Sequence, residues 1–305
     1  ILARASVPLF YIISGFLFFH NVQLFTKSVY YKKLKSRSRS LLIPYILWNL
    51  IVILLFFLAD LLFPHLLSGN NKAITDYPFQ DWIWAFWNTN MITEPTPPST
   101  SSLPICYQFW FIRDLIVITI LTPLIYFFVK RLKIIGLVII GVLWFFNIGF
   151  NIVGLSTNAL FFYTVGAYYG IYKRALLELS KKHFSLSSIL YIIFAFIILI
   201  FKEKKWCHYL QSINIIISCF FFFNITMYCI KKYNWKSNLF LAESSFFIYA
   251  YHAMPLIFIL KIFFKYFNID SDFDALAVYI LAPSITIILG LLIYFIMRKF
   301  LPKTT

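Results

Sequence analysis

Apolar residues in this chain fall in long blocks, not in the alternation of a half-buried strand. Nine blocks approach the roughly 20 residues that a helix needs to cross about 30 Å of hydrocarbon. They are 7–25, 41–63, 109–129, 134–152, 157–172, 184–201, 210–230, 239–263 and 275–297. The predicted fold is all-α: a polytopic membrane bundle of nine spans, one domain over residues 1–305. Most connections are short; 64–108 is long and falls into two parts. FQDWIWAFW at 79–87 predicts a short helix lying in the interfacial plane over the mouth of the bundle. Indoles favour that level because they can be buried and hydrogen-bonded at once. EPTPPSTSSLP at 94–104 predicts an irregular or extended tether.

Composition strengthens the membrane reading. Hydrophobic residues make up 61% and charged residues 12%, against about 25% charged in soluble domains, so a water-soluble fold is excluded. No cleavable secretory signal is read, because the first block is followed by further spans. The net charge of +16 then reports sidedness before it reports a nucleic-acid partner, and none is inferred. Lys and Arg crowd alternate connections: Lys27 to Arg39, Lys130 to Lys133, Lys173 to Lys182, Lys231 to Lys236, and the C-terminus. Basic connections face the cytoplasm, which puts the C-terminus inside and Ile1 outside. Lys202, Lys204 and Lys205, opposed only by Glu203, break this pattern on the predicted outer side.

Ionisable groups inside spans are costly and mark candidate sites. In QFWFIRDLIV, Trp110, Arg113 and Asp114 share one side of a helix near its outer end. They read either as an acceptor-binding cluster or as a charge pair anchoring a helix end. In SFFIYAYHAMPL, His252 lies roughly midway along its span with Ser245 and Tyr249 on the same face and Glu243 opposite. That imidazole would move protons or bind substrate, or it is a neutral ring donating one N–H to a carbonyl. In VYYKKLKSRSRSLLIPY, Arg37 and Arg39 stand against the start of a span, just before Pro44. Guanidinium groups there would hold the phosphates of a cytoplasmic donor, or the headgroups of membrane lipid. The first block, RASVPLFYIISGFLFF, carries Arg4 at its outer end, and Ser14-Gly15 forms a small surface for a neighbouring backbone.

Other chemistries are absent. The chain has no GxxxxGK[ST], HExxH or GxSxG motif. Its four cysteines lack CxxC spacing, so no metal or redox site is read, and pairing of the outer Cys106 with Cys207 stays open.

Five motifs in order, RASVPLFYIISGFLF, RSRSLLIPYILW, FWFIRDLIVITILTPL, FFYTVGAYYG and SSFFIYAYHAMPL, make this chain similar to the membrane acyltransferase 3 family. The resemblance covers nearly the whole chain. It implies one span more than the nine read here, both termini cytoplasmic, and a bacterial inner-membrane location. It also implies transfer of an acyl group, usually acetyl from cytoplasmic acetyl-CoA, to a hydroxyl of an envelope glycan or lipid-linked sugar. No cofactor stays bound; acyl-CoA is the donor substrate. By position, Arg37 and Arg39 match the family's cytoplasmic arginine motif, Trp110 its WF position, His252 its late histidine and Arg4 its basic residue before the second helix. A polar path through Ser14 and His252, with Tyr249 beside it, would join the two sides.

One feature departs from the family pattern. The family's principal histidine, in the first helix, has no counterpart here: Arg4 to His20 is the wrong spacing. A chain starting at the second helix is the expectation, inactive or nearly so in this form, because acyl transfer to a hydroxyl needs a general base. Competing readings are a polysaccharide transporter or polymerase, which would show broken helices in two halves, and a catalytically inactive relative.

Overall fold

Each apolar block is largely helix, and prolines lie at the π turn and at the two sharpest bends. The structure, a computed structural model, describes residues 2–62, 72–92, 102–173, 184–236 and 238–300. Among the described residues it is all-α apart from one two-stranded hairpin, with two compact units, Ile1–Trp235 and Lys236–Thr305. Among the described residues three helices are each long and apolar enough to cross a membrane, and two bent pairs qualify as broken spans. By these lengths and this apolarity it is an integral membrane protein.

In the first unit, α1 (Ser6–Phe19) is followed by a continuous helix, Lys27–Leu62. That helix comprises the basic α2 (Lys27–Arg37), a π-helical turn at Ser38–Leu42 and α3 (Ile43–Leu62). The π turn has a local cause. Pro44 has no N–H to give the carbonyl of Ser40, and its ring crowds that carbonyl, so the preceding turn widens. Thr26 starts α2, its Oγ1 accepting from the Val29 N–H at 3.4 Å.

The block at 109–129 is broken: α5 (Trp110–Ile120) meets α6 (Thr122–Phe145) at a 65° bend, beside Pro123 at the start of α6. The path of α6 itself departs from helical geometry at Lys133 (φ 50°, ψ −129°), where the sequence places the junction of two spans. The expected helix over 134–152 stops at Phe145. Residues Asn151–Ile152 (β1) pair instead with Leu155–Ser156 (β2). Gly149 precedes that hairpin and weakens the helix at the block's end, and Gly154, at φ 89°, makes its turn. Ser156 then caps α7 (Thr157–Ile171), its Oγ accepting from the Ala159 N–H at 3.1 Å. The unit closes with α8 (Phe184–Ile200) and α9 (Cys207–Tyr233).

Helices α1 and α7 run in the same direction with their backbones in contact. A Cβ on Gly15 would lie 2.2 Å from the Tyr163 carbonyl oxygen, and one on Gly166 1.9 Å from that of Ile12. The small surface at Ser14-Gly15 is thus covered by α7, a neighbour within the chain.

The tryptophan-rich segment is a helix, α4 (Phe79–Trp87), but it does not lie across the end of the bundle. Asp60 Oδ2 accepts from the Ile74 N–H at 2.6 Å, and Tyr45 Oη donates to the Phe86 carbonyl. Those two anchors on α3 are about 22 Å apart along its axis, so the segment runs down the side of α3. The reason is burial: Ala85 packs with Ile53 and Ile74, and Phe56, Phe57, Trp82 and Phe86 close over them. Of the expected tether at 94–104, residues 94–101 lie outside the described residues, and 102–104 form neither helix nor strand.

In the second unit, the block at 239–263 is also broken, into α10 (Leu239–Tyr251) and α11 (Ala253–Tyr266), with a bend of 64°. His252 sits at that break, not midway along one continuous helix. Pro255, in the first turn of α11, cannot donate to the Tyr251 carbonyl, which ends the α10 path there. The last helix, α12 (Asp272–Phe300), packs antiparallel to α10: Arg298 pairs with Glu243 at 3.4 Å, and Tyr294 meets Phe247 at 5.7 Å.

Candidate functional site

The two arginines of the RSR motif stand at the π turn: Arg37 ends α2, half-buried, and Arg39 lies within the turn, exposed. A π turn offsets the side chains on either side of it from α-helical register, which is why such turns recur at functional sites. Tyr30 Oη donates to the Ile120 carbonyl at 3.0 Å, and Lys33 Nζ to that of Leu17 at 3.5 Å. Helix α2 therefore sits at the C-terminal ends of α1 and α5. The buried Tyr163 hydroxyl shares a 3.0 Å hydrogen bond with Thr122 Oγ1 at the start of α6.

Arg113 and Asp114 are both buried and paired, Arg113 Nη2 to Asp114 Oδ1 at 3.1 Å. Arg113 Nη1 also donates to the carbonyls of Trp87 at 2.6 Å and Ser102 at 3.0 Å, and its guanidinium lies 5.5 Å from the centre of the Trp87 ring. The Ser156 hydroxyl bonds to Asp114, and Asn49 Oδ1 accepts from the Cys106 N–H at 3.1 Å. This network satisfies the irregular backbone that follows α4 down the side of α3, at a depth where unpaired carbonyls are costly. The charge pair anchors the loop. Trp110 is half-buried and packs edge-on to Phe111 at 6.2 Å; the indole over Arg113 is Trp87, which sequence reasoning missed. Cys106 and Cys207 are buried free thiols.

At the end of the first unit opposite α2, a cavity of about 280 Å³ opens among Arg4, Trp144, Asn158, His208, Gln211 and Ser212. Arg4 Nη1 donates to Gln211 Oε1. Trp144 Nε1 donates to Asn158 Oδ1 at 3.0 Å, and its ring stacks on Phe161 at 5.2 Å. His208 Nδ1 lies 2.7 Å from the Lys205 carbonyl, so that nitrogen carries the proton and Nε2 is the basic one when the ring is neutral. Beneath lies a smaller cavity shared by Arg4, Gln211, Asn214 and Ser218. There Asn214 is 4% exposed, and its Oδ1 has no hydrogen-bond partner among the described residues. Of these residues only Arg4 was singled out from the sequence. One signal was present: Gln211, Asn214 and Ser218 recur at helical spacing through an otherwise apolar block.

Ser14 is buried, and its hydroxyl has no partner among the described residues. In the second unit, Tyr249 and His252 come together, their ring centres 6.0 Å apart. His252 Nδ1 lies 2.7 Å from the Tyr249 carbonyl and 3.2 Å from that of Ile248. Carbonyls only accept, so Nδ1 carries a proton. When the ring is neutral, the lone pair is on Nε2.

A family model described as an acyltransferase domain matches residues 1–296. No curated protein matches the chain, and no solved structure does.

Proposed function

This chain belongs to the acyltransferase 3 family and is an acyltransferase, and on that premise we propose that it carries an acyl group, acetyl in the first instance, from cytoplasmic acyl-CoA to a hydroxyl of an envelope or exported polysaccharide. In this reading the protein spans a bacterial inner membrane with its C-terminus in the cytoplasm. The acceptor oxygen attacks the thioester carbonyl, the carbon–sulfur bond breaks, CoA thiolate leaves, and a base takes the hydroxyl proton. Arg37 and Arg39 hold the CoA phosphates, and His252 Nε2 is this chain's candidate for the proton. The acceptor enters at the Arg4 cavity.

The observation that carries the donor assignment is the π turn beneath Pro44, which sets two arginines of a basic helix at the end of the first unit opposite the polar cavity. Guanidinium forks suit phosphate oxygens better than ammonium groups do. Membranes containing the protein made from its full coding sequence, given acetyl-CoA labelled in the acetyl group, are expected to label a glycan and release CoA in equal amounts. Arg37→Lys should raise the KM for acetyl-CoA by about tenfold, as one charge-assisted bond is lost. An unchanged KM removes the donor role, and absence of label from every envelope glycan removes the acceptor class.

The two broken helices, at 65° and 64°, also favour the transporter reading. Transport would move glycan without releasing CoA, so the same measurement separates the two.

A further inference from the structure

We propose that the Arg4 cavity selects a negatively charged saccharide, with the carboxylate or phosphate of the sugar on the Arg4 guanidinium. This deepens the reading that the acceptor enters there and rests on it.

Three observations converge. Arg4 is fixed but not neutralised: its partner is the uncharged Gln211 amide, no Asp or Glu lines the cavity, and no carboxylate pairs with Arg4 among the described residues. A cation held open in a polar cavity is a receptor for an anion. Next, the remaining lining is built for a sugar. Trp144 gives an apolar wall, Asn158 and Ser212 offer polar groups, and beneath them Asn214 Oδ1 is more than nine-tenths buried with no partner. An unsatisfied buried amide oxygen costs stability, and a ligand hydroxyl would satisfy it.

The third observation explains the chain's sidedness anomaly. Lys202, Lys204 and Lys205 are exposed and lead directly into His208 on the cavity wall, through the bond from His208 to the Lys205 carbonyl. Glu203 offsets only Lys202, at 3.8 Å. Basic residues are disfavoured on the outer face by the rule that orients the chain. Beside this cavity they form a positive rim that draws an anionic ligand toward Arg4.

The test is binding of three sugars sharing one ring: methyl glucoside, methyl glucuronide and glucose 6-phosphate. Each is titrated into the full-length protein in nanodiscs, without acyl donor, and read by saturation-transfer NMR. The glucuronide, the phosphate or both should bind at least ~10-fold tighter than the glucoside, and their rank tells a uronate site from a phosphoglycan site. Arg4→Gln should abolish that preference, whereas Arg4→Lys should keep part of it. Replacing the three rim lysines by Gln should weaken the dependence on ionic strength but not the preference. Equal affinity for all three sugars, no binding at millimolar concentration, or a preference that survives Arg4→Gln overturns the proposal. Because no acyl donor is present, each of these results leaves acyl transfer itself to be judged by CoA release.

Discussion

Arg113 shows how the same side chain reads differently before and after its partners are known. Its four contacts are Asp114, two loop carbonyls and the Trp87 ring, so its work is to hold the chain that follows α4 against the bundle. Removing one member of a buried ion pair leaves the other uncompensated and costs ~3–5 kcal/mol. Arg113→Met should therefore lower the unfolding temperature of the purified protein markedly while leaving acetyl-CoA affinity unchanged in what remains folded. Arg113→Lys should recover little, because a single ammonium cannot serve two carbonyls and a carboxylate in that planar geometry. A variant of normal stability that fails to bind acceptor would return Arg113 to the binding machinery. The sequence placed Trp110, Arg113 and Asp114 on one side of a helix and left two readings open. The contacts that favour the anchoring reading come from residues 87, 102 and 156, and no periodicity in α5 points that far along the chain.

At the scale of elements, the closest pair is α1 with α7, where carbonyl oxygens occupy the space that a Cβ would need. Gly166→Ala would set its methyl 1.9 Å from the Ile12 carbonyl oxygen, and backbone cannot yield as a side chain does. A loss of at least ~1–3 kcal/mol is expected, visible as a lowered unfolding midpoint in detergent. Gly141→Ala comes nearest to the Phe161 ring, at 3.1 Å, a side chain that can yield, and should cost much less; equal effects would mean that the helix contact is not what limits stability. The π turn makes a separate prediction. Pro44→Ala restores the missing donor and lets the turn relax toward α-helix, which should weaken acyl-CoA binding by shifting Arg37 relative to α3 without destabilising the fold. The blocks that became helices were plain in the sequence, because about 20 apolar residues have few other fates. The breaks at Leu121 and His252 were less so. Pro123 and Pro255 are visible, but a hydropathy sum counts them as two residues in an apolar run. The path of α4 was hidden for another reason: a tryptophan-rich helix has the same composition whether it lies at an interface or packs along a neighbour. The Arg4 cavity draws its walls from four separate segments, and only its polar stripe in α9 has a period to read.

At the scale of the whole molecule, the proposed reaction depends on the two ends of the first unit facing different compartments. Basic α2 must lie where acyl-CoA is made, and the Arg4 cavity where the glycan arrives. Charge distribution favours this, but Lys202, Lys204 and Lys205 count against it in any tally of Lys and Arg by side, so sidedness needs a direct measurement. The native cysteines make one possible. Cys106, Cys207 and Cys219 are buried, and burial pushes the Cys106 thiol up to about 12, which leaves almost no thiolate at neutral pH to react. Cys229 is half-buried, and replacing it by Ser leaves a quiet background. Into that background a single cysteine is introduced at an exposed position, Lys35→Cys in α2 or Lys204→Cys beside the cavity. A membrane-impermeant maleimide should label Lys204→Cys in right-side-out vesicles and Lys35→Cys in inverted ones, each reversing when the vesicle orientation is reversed. Labelling of both from the same side would place the positive rim among the cytoplasmic charges. The Arg4 cavity would then face the acyl-CoA pool, and an exported glycan could not be its ligand. Opposite labelling leaves the three lysines as a genuine exception to the charge rule, one that a positively lined mouth for an anionic acceptor accounts for.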